Sequence, residues 1–101
     1  MATYFILFRY TKQGRQTVTE AQHRIQESWR QSQAAGLTVL SLHLTMGEYD
    51  YIGLVDAPDD DALASFLLGL EQGGVVRSTC LRAFGMTEAT RILQAVPKRD
   101  E

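Results

Sequence analysis

Tyr4-Phe5-Ile6-Leu7-Phe8-Arg9-Tyr10 is apolar at nearly every position, with several aromatic side chains. That run predicts a strand buried on both faces. Thr11-Lys12-Gln13-Gly14 follows and reads as a loop. The period then lengthens. Val18, Ala21, Ile25, Trp29 and Ser32 recur at spacings of three and four, with Gln22, Gln26, Arg30 and Gln33 falling elsewhere. This predicts an amphipathic helix running to about Ala35. Thr17 is its expected N-cap, with Glu20 completing a capping box, and Gly36 is its stop.

From Thr38 the period falls to two. Leu40, Leu42 and Leu44 share one face; Val39, Ser41, His43 and Thr45 share the other. A third strand covers Asp50 to Asp56, where Gly53 marks a bulge or a close backbone approach. Between the two strands lies Gly47-Glu48-Tyr49-Asp50. Its glycine tolerates positive φ, so the stretch predicts a β-hairpin turn.

Ala57-Pro58-Asp59-Asp60-Asp61 opens a second helix, its acids matched to the helix dipole. Leu63, Phe66, Leu67 and Leu70 supply the core face, and Gly73-Gly74 ends it. Val75 to Phe84 predicts a fourth strand, and Thr87 to Val96 a third helix with Thr87 as N-cap. The order β-α-β-β-α-β plus a helix predicts an α+β, ferredoxin-like fold: a four-stranded antiparallel sheet with two long helices on one face. The other sheet face would then be bare and partly apolar. A second copy packed face to face, giving a homodimer, is the expected cover.

Composition narrows the function classes. The chain has 101 residues, enough for one domain; residues 1–96 are read as that domain and 97–101 as a charged tail. Ten Lys and Arg against twelve Asp and Glu give a net charge of −2, without the basic footprint of a nucleic-acid binder. Cys80 is the single cysteine, which excludes an intrachain disulfide and a cysteine-based zinc site. The amino end lacks a basic n-region before a long apolar stretch, and no run approaches a membrane span, so a cytoplasmic location is expected.

Taken jointly, several stretches resemble the GYD domain family of the dimeric α/β-barrel superfamily. They are Tyr10-Thr11-Lys12-Gln13-Gly14, Arg24, Gly47-Glu48-Tyr49-Asp50, Ala57-Pro58-Asp59-Asp60 and the strand Val76 to Phe84. Ser78 and Cys80 stand where the family pattern has threonines. The resemblance implies the ferredoxin-like fold and dimerisation. Fold relatives include monooxygenases, haem enzymes, isomerases and ligand-sensing regulators, so activity does not follow from fold.

Candidate chemistry is sparse. Tyr49 and Asp50 could form a hydroxyl–carboxylate pair at a pocket mouth, or simply build the turn. His43 faces away from the leucines, as a base, a metal ligand or a hydrogen-bonded interface residue. Arg82 should share a face with Ser78 and Cys80, paired with Asp50, Asp56 or an anionic ligand. Cys80 has no nearby activating group and reads as a small buried core residue. Nothing suggests a metal or cofactor site, and Gly73-Gly74 lacks the lysine of a phosphate loop. The leading expectation is a homodimeric small-molecule binding protein using His43, Tyr49, Asp50 and Arg82. The alternatives are a metal-independent oxygenase or isomerase for a small aromatic or enolic compound, and a structural oligomerisation module.

Overall fold

In the computed structural model, which describes residues 1–99, the strands are β1 (Ala2–Tyr10), β2 (Thr38–Leu44), β3 (Tyr51–Ala57) and β4 (Val76–Ala83). They pair antiparallel in the order β2-β3-β1-β4. The helices are α1 (Lys12–Gln16), α2 (Ala21–Ala34), α3 (Asp60–Gln72) and α4 (Met86–Gln94). The fold is the expected α+β, ferredoxin-like one.

The sheet register assigns the faces. Ile6 lies opposite Gly53 and Cys80, and Tyr4 opposite Val55 and Arg82. This face carries the core: Tyr4, Ile6 and Val55 pack with Leu37, Leu63 and Leu67 below α2 and α3. On the other face Phe5 sits between Leu54 and Leu81, and Leu7 between Ile52 and Thr79. Phe5 is 38% exposed and Leu81 48%. β1 is therefore central but buried on one face only, because among the described residues nothing covers the second.

The alternation of β2 breaks at its start. Val39 pairs with Val55 and Ser41 with Leu54, so the chain bulges at Leu40. Val39 joins the core side with Leu42, opposite to the simple alternation, while His43 pairs with Ile52 on the open side. A bulge inserts one residue and reverses the facing of everything before it. Gly53 is not the bulge; it is a buried strand residue opposite Leu42.

The first helical region also differs from expectation. Thr11 is the cap of α1: its Oγ1 accepts the Gly14 amide at 3.1 Å and donates to the Gly74 carbonyl at 2.6 Å. Thr17 makes no cap bond. Its hydroxyl donates to the Gln13 carbonyl and accepts from Arg24, so it is already engaged. A 3-10 turn, Val18–Glu20, then leads into α2. α2 ends as predicted. Gly36 has φ +82°, with its amide on the Gln33 carbonyl and the Leu37 amide on the Ser32 carbonyl. These are the paired bonds of a Schellman motif. Asp59 caps α3 by accepting the Ala62 amide at 2.8 Å. α4 starts earlier than expected: the Gly85 carbonyl accepts the Ala89 amide, so Gly85 is the cap and Thr87 lies inside the helix.

α4 projects from the body. Its Met86, Ile92 and Leu93 are 77%, 46% and 67% exposed. The radius of gyration is 16.2 Å, against about 13 Å for a compact chain of this length.

Candidate functional site

A cavity of about 390 Å³ lies between the core face of the sheet and helices α2 and α3. Helix spacing places Ile25, Ser28 and Trp29 of α2 on its wall; Phe66 and Leu70 of α3 face them. The floor includes Phe8, Tyr10, Tyr51 and Gly53. Gly53 keeps the floor low, since a side chain there would rise on the cavity side. Trp29 is 43% exposed, so it borders the opening rather than filling the core.

The polar end of this cavity is a tyrosine pair. The Tyr10 and Tyr51 hydroxyl oxygens are 2.5 Å apart, and the rings meet edge to face with centroids 5.6 Å apart. Strand pairing explains the contact: Phe8 lies opposite Tyr51, so Tyr10 is its diagonal neighbour on the same face. Burial, then the bond to Tyr51, push the Tyr10 phenol above its ordinary pKa. Arg24 also lines the cavity. It donates to the Thr17 hydroxyl at 3.1 Å and the Thr17 carbonyl at 3.0 Å, which ties α2 to the preceding turn.

The four residues singled out in the sequence do not converge, and none of them lines this cavity. His43 is exposed on the open sheet face. The Tyr49 ring lies under the Arg9 guanidinium, 5.1 Å from its centroid, and Arg9 also pairs with Glu48 at 2.8 Å. Asp50 accepts the Tyr10 amide at 2.8 Å, while its own amide donates to the Phe8 carbonyl. It therefore serves backbone groups of β1. Gly47 has φ +106°, as the hairpin turn required.

Arg82 lies at the far end of the sheet. Its guanidinium stacks 4.4 Å from the Phe84 ring centroid and 5.6 Å from that of Tyr4. It pairs with Glu88 of α4 at 3.6 Å and donates to the Thr3 carbonyl at 3.2 Å. The expected partners Asp50 and Asp56 are replaced by Glu88 because α4 begins directly after β4. Cys80 is exposed rather than buried, and partial burial of its sulfur pushes the thiol pKa up, away from nucleophilic activation. Among the described residues no group of three His, Cys, Asp or Glu side chains could hold a metal ion. No described helix is long and apolar enough to cross a membrane.

Tyr10 and Tyr51 were missed as a site because each reads locally as a strand end. Their signal lay in the pairing of β1 with β3, which brings together residues 41 positions apart.

Comparison with known proteins fits this architecture. A curated relative from Thermus thermophilus, named glutamine synthetase and cystathionine beta-lyase binding protein, is 27% identical over 89 residues. The alignment covers 87% of this chain and 94% of the relative. The crystal structure of FFRP-DM1 superposes with a TM-score of 0.58 at 17% identity, covering 83% of this chain and 100% of that one. That likeness concerns the fold alone. The GYD domain family model matches residues 4–93, and the chain belongs to the GYD domain family.

Proposed function

We propose that this chain is the subunit of a homodimeric binding protein that takes a small molecule into the cavity between the sheet and helices α2 and α3. The observation that carries the reading is the cavity itself: about 390 Å³, walled by apolar side chains, with a hydroxyl pair at one end. Ligand sites typically start near 300 Å³ and combine an apolar lining with a few placed polar groups. A purely structural module would not need such a space. The oxygenase or isomerase reading is supported less, because His43 and the Tyr49–Asp50 pair lie outside the cavity.

Association of subunits is supported by surface area, to which the open sheet face and the projecting α4 both contribute. The chain exposes 7382 Å², against about 5,700 Å² for a folded monomer of 11.3 kDa. The excess surpasses the roughly 800 Å² that each partner contributes to a standard interface. Phe5, Leu54 and Leu81 form an apolar row across the middle of the open face.

A second reading, binding of a partner enzyme, is favoured by the Thermus thermophilus relative, whose name records binding to two enzymes. The two readings are compatible, since the cavity and the outer surface can serve different partners. Native mass spectrometry of freshly purified protein tests the first. A dimer mass carrying an extra small-molecule mass is expected. A bare monomer that also takes up no added apolar ligand would sink it.

A further inference from the structure

We infer that the cavity selects a hydrophobic molecule bearing a hydrogen-bond acceptor oxygen, held by the one O–H of the Tyr10–Tyr51 pair that the pair does not use itself. The inference rests on the cavity being a ligand site. Two phenols carry two O–H protons. The contact between the two oxygens consumes one of them. Among the described residues neither hydroxyl makes a hydrogen bond to any other group, so the second proton has no protein acceptor.

The pair lines a largely apolar space, and the complement to a spare O–H there is an oxygen that accepts. Arg24 and Glu27 both line the wall, so both signs of charge are present beside the cavity. Ile25, Trp29, Phe66 and Leu70 offer the rest of the molecule only apolar or aromatic contact. A ketone and a carboxylate share the required chemistry and differ in charge, so comparing the two reads the net effect of Arg24 and Glu27.

Trp29 is the single tryptophan and borders the cavity, so its indole N–H resonance reports occupancy. The 101-residue protein is titrated with ethylcyclohexane, cyclohexyl methyl ketone and cyclohexanecarboxylate, which share one body. The ketone, the carboxylate or both should bind about fivefold more tightly than the hydrocarbon, the gain of one hydrogen bond. A tighter carboxylate would identify an acid as the preferred class; a tighter ketone would identify a neutral carbonyl.

The Tyr10→Phe/Tyr51→Phe double variant should lose that advantage and keep its affinity for ethylcyclohexane. Each single variant retains one O–H and should keep most of the advantage. Equal affinity for all three probes overturns the acceptor inference and leaves the cavity as a site. No shift of the Trp29 resonance with any probe overturns both.

Discussion

The Asp50 carboxylate accepts the backbone amide of Tyr10 at 2.8 Å, closing the end of β1 against the hairpin loop. Asp50→Ala leaves that half-buried N–H without a partner. We expect a loss of roughly 1–3 kcal/mol, read from urea denaturation. An unchanged midpoint would show that water replaces the carboxylate at no cost.

Two glycines should fail for different reasons. A Cβ on Gly14 would sit 2.1 Å from the Val75 carbonyl oxygen, a backbone atom that cannot swing away. Gly14→Ala should therefore cost about 1–3 kcal/mol or more through overpacking. Gly47 has open space around it but a φ of +106°. Gly47→Val should cost about 1–2 kcal/mol through backbone strain alone. Thermal unfolding of both variants checks this; a neutral Gly47→Val would mean that the loop relaxes to another conformation.

Tyr10 makes stability fall at alkaline pH. Its phenol is raised in the folded protein, chiefly by burial and then by Tyr51, so the folded state holds the proton more tightly than the unfolded one. That contribution is complete below the unfolded value near pH 10 and is lost as pH climbs towards the folded value. Chemical denaturation between about pH 9 and 11 should show a steeper decline for the native protein than for Tyr10→Phe. The raised Tyr4 phenol is common to both proteins and cancels in the comparison. Parallel curves would contradict the assignment.

Gly53 is the simplest lever on the cavity. A Cβ there meets only the Leu42 side chain at 3.5 Å and Ser41 and Val55 atoms beyond it, all ordinary contacts. Gly53→Leu should fold, occupy the cavity floor and remove any co-purified small molecule from the native mass spectrum. Persistence of the bound mass would move the ligand elsewhere.

Leu81 tests the dimer. It is 48% exposed in the subunit, and a change there should move subunit stability by no more than about 0.5 kcal/mol. Leu81→Glu places a charge in the apolar row beside Phe5. Light scattering should report a monomer with an unaltered circular dichroism spectrum. A dimer of undiminished affinity would place the interface off this face.

Much of the fold was legible in local pattern. The strand of Tyr4 to Tyr10, the stop at Gly36 and the acidic start of α3 all follow from neighbours in sequence. The bulge at Leu40 was not, because Thr-Val-Leu-Ser-Leu-His-Leu alternates too evenly to mark where the extra residue falls. The capping role moved from Thr17 to Thr11 because Thr17 is drawn into bonds with Gln13 and Arg24, which spacing alone does not reveal. The cavity was least legible. Its polar end depends on two tyrosines from different strands, while the polar residues that attracted notice, His43, Tyr49, Asp50 and Arg82, are spread over the open face, a turn and the far end of the sheet.

Thr11, Gly14, Gly47 and Asp50 all serve backbone closure. Thr11 and Gly14 lock β1 to the segment before β4, and Asp50 locks the hairpin to β1. The residues by which a family member is recognised are thus the ones that hold the scaffold shut. Tyr51 and Gly53 of the cavity lining lie outside the signature stretches, so they can change without opening the scaffold. On the proposed function, sorting relatives by what stands at the positions of Tyr51 and Gly53 would group them by cargo, where the signature groups them only by ancestry.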